Sequence, residues 1–227
     1  MSTKEITRDK ETLLMIKSLI DQGVEKISII MRHSARYFGQ DPRMEPFLGL
    51  TETGKGYAVN LGQALPRRPD PVFFSSHFSR CIETAYLMDK GYNQRYSRFK
   101  GHNTLETTLA PFYIRDMESA FTTFAKLGSD RFLRTWFDKG LDNGMMQDSE
   151  ETADLLTDFL EAKLDGLDPG QIAICVSHDW NLYPIKEHKL NLPFEEHGKV
   201  EFLESVVVFE QGGKNFIMNH QQEPKQL

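Results

Sequence analysis

One stretch constrains the fold more than any other. Ile27-Ser28-Ile29-Ile30-Met31 is an apolar, β-branched run that breaks abruptly into Arg32-His33-Ser34-Ala35-Arg36. Such a short run predicts a buried strand. Strands buried on both faces belong to parallel sheets covered by helices. Two guanidiniums and an imidazole then collect at the strand's C-terminal end. In an open α/β sheet, ligands bind beyond those ends. The stretch therefore reads as one wall of an anion site, with His33 as a nucleophile and the arginines holding a phosphoryl group for it.

The rest of the chain alternates helix and strand around this element. Residues 8–22 read as an amphipathic helix with Leu13, Ile16, Leu19 and Ile20 inward, Thr7 as N-cap and Gly23 as stop. Residues 34–50, with Gly39, Pro42, Pro46 and Gly49, form a loop whose wall is shaped by Tyr37, Phe38 and Phe47. Thr51 caps the next helix, and Pro66 marks its end. Pro71–Ser76 is a second strand, followed by a helix through Arg80 and Leu87 that is capped by Ser76 or Ser79. Residues 91–103 look polar and irregular, and a short third strand is expected near Thr104–Thr108.

Two helices, about Asp116–Leu127 and Asp130–Asp138, carry Phe121, Phe124, Phe132, Trp136 and Phe137, which read as core or lid packing. After Gly140–Gly144, the Asp148-x-x-Glu151 capping box opens a helix with a stripe of Leu156, Phe159, Leu160 and Leu164. Ile172–Val176 is the most strand-like run of the C-terminal half and leads directly into Ser177-His178-Asp179. Phe202–Phe209 and Asn215–Asn219 flank Gly212-Gly213 as a closing hairpin. The expected class is a three-layer α/β/α fold, mainly parallel, with helices on both faces. Residues 8–220 form a single domain, 101–147 are a helical insertion or cap, and 221–227 are a flexible tail.

Composition narrows the function. With 27 basic and 33 acidic residues the net charge is −6, so there is no general basic field for nucleic acid. Any phosphate chemistry needs a local basic pocket. Cys81 and Cys175 make no metal-ligand spacing and read as buried free thiols of a reducing compartment, with one disulfide left open. The polar N-terminus is no signal peptide, and no run of ~18 apolar residues suggests a membrane span. A cytoplasmic protein is expected, with no membrane partner and with a homodimer left open.

Three strand ends carry matching polar residues: Arg32, His33 and Arg36; then Ser75, Ser76, His77 and Arg80; then Ser177, His178 and Asp179. Parallel strands bring these ends to one sheet edge. Arginine suits a phosphate dianion because its planar fork binds two oxygens and stays charged. Helix N-termini after the second and third strands add backbone donors.

Arg32-His33-Ser34-Ala35-Arg36 resembles the Arg-His-Gly signature of the histidine phosphatase superfamily, which includes phosphoglycerate mutases, fructose-2,6-bisphosphatases and histidine acid phosphatases. Leu50-Thr51-Glu52-Thr53-Gly54, Ser75-Ser76-His77-Phe78-Ser79-Arg80 with Thr84-Ala85, and Val176-Ser177-His178-Asp179 are similar to its later segments, in family order. The resemblance implies a phosphoglycerate mutase-like fold. It implies a metal-independent, cofactor-free phosphatase for a small phosphorylated substrate, acting through a phosphohistidine on His33. Arg32, Arg36, Arg80 and His178 would bind the phosphoryl oxygens. Two acids are candidates for protonating the leaving group: Asp179, favoured by its place after His178, and Glu106, near the end of the third strand. Ser34 stands where the family has glycine, and its hydroxyl either adds a phosphate contact or narrows the pocket.

Two other readings accompany this one: a mutase-like phosphotransferase, and a non-catalytic phospho-ligand binder that Ser34 permits. The remaining polar residues take plainer roles. His77 is a rim histidine or a substrate contact, and Thr84 packs or caps. Glu52 and Glu83 are solvated helix charges, and His102, His188, His197 and His220 lie at the surface. Arg43, Lys100 and Arg115 are surface charges unless the substrate carries a second acidic group.

Overall fold

Strand β1 is central because its side chains alternate between two apolar layers. The structure is a computed structural model that describes residues 6–97 and 103–227, so Lys100 and His102 lie outside the described residues. In chain order the elements are α1 (Asp9–Asp21), β1 (Lys26–Arg32), α2 (Glu52–Ala64), β2 (Asp70–Ser75), α3 (Ser79–Tyr96), β3 (Asn103–Leu105), α4 (Met117–Leu127), α5 (Ser129–Phe137) and α6 (Ser149–Asp165). Then come β4 (Gln171–Ser177), α7 (Asp179–Pro184), α8 (Phe194–His197), β5 (Ser205–Gln211), β6 (Lys214–Asn219) and β7 (Lys225–Gln226). A 3₁₀ turn at Pro42–Phe47 lies within the loop after β1.

The sheet order among the described residues is β3-β2-β4-β1-β5-β6-β7. The first four strands run parallel, and the last three add an antiparallel flank. Ile27, Ile29 and Met31 pack with Ile172, Ile174 and Val176 on the side of α1, α2 and α3. Ile30 packs with Ala173 and Cys175 on the side that carries Phe132, Trp136, Leu156 and Leu160. A period of two sends successive side chains to opposite faces. Apolar residues at nearly every position are what a strand covered on both faces requires. The aromatics of α5 are therefore core, as their helical spacing suggests.

Register positions the site. Arg32 pairs with Ser177 across β1 and β4, so His33 and His178 emerge side by side. Ser75 pairs with Val176, which sets Ser76 beside Ser177. The loop between β1 and α2 returns close to its start. Thr51 caps α2 by accepting from Gly54 N–H, and Thr51 N donates to Ala35 O at 3.0 Å. A Cβ at Gly54 would lie 2.0 Å from Ala35 O, so this approach needs glycine.

Five expectations are corrected. Helix α3 continues to Tyr96 through residues that looked irregular, because Tyr92 and Gly91 are buried and Gly91 lets α3 lie against Val59 O of α2. It opens without a side-chain cap after Phe78, and α1 likewise opens after Arg8 rather than with a Thr7 cap. The third strand is Asn103–Leu105, and Thr107–Leu109 turns as a 3₁₀ helix. Residues 225 and 226 pair with β6, and Leu227 N donates to Asn215 O at 3.0 Å, so the end of the expected flexible tail is a strand. That pairing uses backbone groups, which a polar sequence does not disclose.

Candidate active site

His33 leaves β1 with its backbone still in the sheet ladder: its N–H donates to Ser177 O at 2.9 Å. His33 is 2% exposed. Its Nδ1 lies 2.7 Å from Ser34 O. A carbonyl oxygen only accepts, so Nδ1 carries the proton and Nε2 keeps its lone pair. Arg80 Nε donates to that Nε2 at 3.1 Å. Burial first, and then His178, Arg32 and Arg80, hold the imidazole well below its ordinary value of 6.5, against the smaller opposing pull of the Ser34 carbonyl.

Arg80 sits in the first turn of α3 and ties the strand ends together. Its Nη2 donates to His178 Nδ1 at 3.2 Å, and its Nη1 donates to Glu45 O at 2.7 Å. Since His178 Nδ1 accepts, its Nε2 holds the proton and donates to Ser76 Oγ at 3.1 Å. The His33 and His178 rings meet edge-on with centroids 5.7 Å apart. Burial, and then Arg80 and Arg36, also keep His178 neutral well below 6.5.

Arg32 closes the other side. Its guanidinium lies 4.0 Å over the Phe202 ring, Nη1 donates to Val200 O at 2.7 Å, and Nη2 is 3.2 Å from Asp179 Oδ2. Its Nε is a buried donor without a partner among the described residues. Arg36 lies 4.2 Å from the Phe38 ring centre, and its Nη1 is 2.7 Å from Glu45 Oε2. Arg80 thus joins His33 and His178 directly and Arg36 through Glu45, while Arg32 pairs with Asp179 and meets His33 through the Phe202 ring.

Two expected residues stand apart. Ser34 is fully buried, and its Oγ donates to Gly54 O at 2.7 Å while its N–H donates to Thr84 Oγ1 at 3.1 Å. The only hydroxyl proton faces the start of α2, so the expected phosphate contact from Ser34 is corrected to a structural one. Glu106 pairs with Lys163 Nζ at 2.6 Å, whereas Asp179 pairs with Arg32.

Other residues take definite roles. Thr84, buried inside α3, accepts from Ser34 N and donates to Arg80 O one turn back at 2.7 Å, so it packs between the helix and the site loop. Glu83 accepts from Leu50 N at 2.7 Å and so pins the loop, which is more than a solvated charge does. His77 is exposed at the rim beside Phe78. His188 is half-buried against Ser149 Oγ. Arg43 pairs with Asp41, and Arg115 donates to Asn143 O. Cys81 and Cys175 are buried free thiols, and burial pushes Cys81 up to about 12 despite Arg80 beside it.

Sequence reasoning missed Glu45 and Phe202. Glu45 is an acid in a proline-flanked turn, and Phe202 is one apolar residue among many. Only the fold brings either to the site. Among the described residues no helix is long and apolar enough to cross a membrane.

The family model described as histidine phosphatase superfamily (branch 1) matches residues 30–216. No curated protein matches the chain. Several solved structures share the fold. Bacillus stearothermophilus YhfR is 14% identical with a TM-score of 0.58, over 86% of this chain and 99% of that one. A phosphoglycerate mutase from Bacillus anthracis str. Sterne is 17% identical with a TM-score of 0.55, over 87% and 94%. A mutant phosphoserine phosphatase from Entamoeba histolytica, in complex with phosphoserine, is 16% identical with a TM-score of 0.53, over 85% and 95%.

Proposed function

We propose that this chain, which belongs to the histidine phosphatase superfamily, hydrolyses a phosphomonoester through a phosphohistidine on His33. The observation that carries the reading is the state of that ring: Nδ1–H is held by Ser34 O, and the bare Nε2 faces Arg80. A nucleophilic nitrogen needs an unprotonated lone pair and a fixed direction; Nε2 has both, and attack requires the Arg80 donor that occupies the lone pair to move to the phosphoryl group.

In the first step Nε2 attacks phosphorus, the bond from phosphorus to the ester oxygen breaks, and Asp179 gives that oxygen a proton. Arg80 turns its Nε donor from His33 to a phosphoryl oxygen as the N–P bond forms. Arg32, whose Nε already lacks a partner, Arg36 and His178 hold the remaining oxygens. Donors fixed in advance around developing charge are worth most where water is excluded. In the second step water attacks the phosphohistidine, its proton goes to Asp179, and phosphate leaves as the N–P bond breaks. Asp179 is preferred to Glu106 because its partner Arg32 stacks on Phe202, whose ring also meets His33, whereas Glu106 is held by Lys163. The Ser34 hydroxyl turns away to Gly54, which supports the enzyme over a non-catalytic binder.

The reading makes the protein a cytoplasmic, metal-independent hydrolase of a small phosphorylated molecule, built as one domain with 101–147 as its helical insertion. Phosphate release from an aryl phosphate, with His33→Ala as comparison, tests it. The wild type is expected to turn over and to trap an acid-labile phosphoryl adduct, and His33→Ala to do neither. Wild-type rates in His33→Ala would overturn the phosphohistidine route.

A further inference from the structure

Glu45 occupies a position that phosphate binding alone does not explain. Its carboxylate lies 2.7 Å from Arg36 Nη1 and 3.7 Å from Arg80 Nη1, so a negative charge sits on two arginines assigned to the phosphoryl group. One guanidinium separates it from His33, since the same Arg80 donates to His33 Nε2. The side chain is not a loose surface acid. Its own backbone carbonyl accepts from Arg80 Nη1 at 2.7 Å. The turn around it, Pro42–Phe47, is capped by Asp41 and contains Pro46. The far end of the loop is held by Glu83 on Leu50 N.

A phosphoryl group that took these arginine donors would displace the carboxylate from them. The backbone anchor on Arg80 keeps Glu45 at the pocket rim, beside the bound ester. A fixed charge a few ångströms from the leaving group acts on whatever charge that group carries, and partial burial weakens screening.

We propose that Glu45 is a specificity-determining residue that selects phosphomonoesters whose leaving group carries an ammonium and rejects those carrying a second anion. This rests on the phosphatase reading above and adds to it a substrate class. Arg43, the nearest cation in sequence, is neutralised by Asp41 and does not offset it.

Three esters of similar size separate charge from shape: 2-aminoethyl phosphate, propyl phosphate and phosphoglycolate. Wild-type kcat/KM is expected to fall in that order, by about tenfold per step of charge. Glu45→Gln is expected to bring the three within about threefold of one another, mainly by slowing the amine and speeding the acid. An unchanged order and span in Glu45→Gln would overturn the proposal and leave the phosphatase standing. So would an equal gain on all three, which would make Glu45 a mere competitor for the arginines. No turnover of these esters or of an aryl phosphate by either protein would sink the phosphatase reading itself, and this inference with it.

Discussion

Arg80 donates its Nε proton to His33 Nε2 across 3.1 Å, so a buried cation of the site rests on the lone pair that must attack phosphorus. The contact does two things. It keeps the imidazole neutral and correctly turned, and it stores the arginine where the phosphoryl oxygens will arrive. The other two ends of the fork, on His178 Nδ1 and Glu45 O, fix the guanidinium plane.

Arg80→Lys should therefore behave as a severe change. Lysine keeps the charge but has no planar fork to reach His33, His178 and Glu45 together. Loss of preorganised donors costs about 10²–10³ in rate. Steady-state kcat/KM on an aryl phosphate should fall by that factor. Retention of activity within about threefold would show that charge alone suffices at this position.

Both site histidines make stability depend on pH. Burial and the neighbouring cations depress His33 and His178 well below 6.5. Between the depressed folded value and the unfolded one, the unfolded chain holds more protons, so stability rises with pH. The contribution is complete above about pH 6.5 and is lost as pH falls below it, at up to about 1.4 kcal/mol per pH unit for each histidine. Urea midpoints between pH 7.5 and 5.5 should fall accordingly. His33→Gln should reduce that slope by about one proton. Comparing the two proteins removes the background from His188 and His220, which are also depressed by burial.

The basic cluster was legible in the sequence because apolar strands push polar groups to their ends. Arg32, His33, Ser76, Arg80 and His178 all follow from that rule together with parallel register. Glu45 was not legible, since nothing local marks an acid in a proline-rich loop as the partner of arginines on other elements. Ser34 was visible as an oddity, but the direction of its hydroxyl depends on how closely α2 approaches, which Gly54 permits. The length of α3 was underestimated for a related reason. Tyr92 and Gly91 look like loop residues until α2 is packed against them, and tertiary contact then overrides local propensity. Strand β7 was hidden because pairing through the backbone leaves no mark on side-chain pattern.

The two candidate acids predict different kinetics. A general acid matters in proportion to how badly the leaving group needs a proton. Asp179→Asn should lower kcat on an alkyl phosphate by about 10²-fold or more, and much less on an aryl phosphate that departs as a stable phenolate. Glu106→Gln should leave both rates near wild type and only weaken the half-exposed pair with Lys163, by about 1 kcal/mol or less. The reverse pattern would move the proton donor to Glu106.

Behind Arg32 lies a buried ion pair whose removal should be felt in both stability and rate. Lys186 Nζ is 2.6 Å from Glu204 Oε1, with each side chain 2% exposed. Glu204 also accepts from Glu201 N at 2.9 Å, and its backbone carbonyl accepts from Arg32 N at 2.9 Å. Val200 and Phe202, which hold the Arg32 guanidinium, lie on the same short segment. Lys186→Met strands a carboxylate in the interior, and breaking a buried pair from one side costs about 3–5 kcal/mol. Adding Glu204→Gln removes the stranded charge, so the double variant should recover part of the loss. Urea midpoints of the two variants should differ in that direction. The folded fraction of Lys186→Met should also show a reduced kcat/KM, because the segment that aims Arg32 has lost its anchor. Equal midpoints for wild type and Lys186→Met would mean that the pair is hydrated in solution and braces nothing.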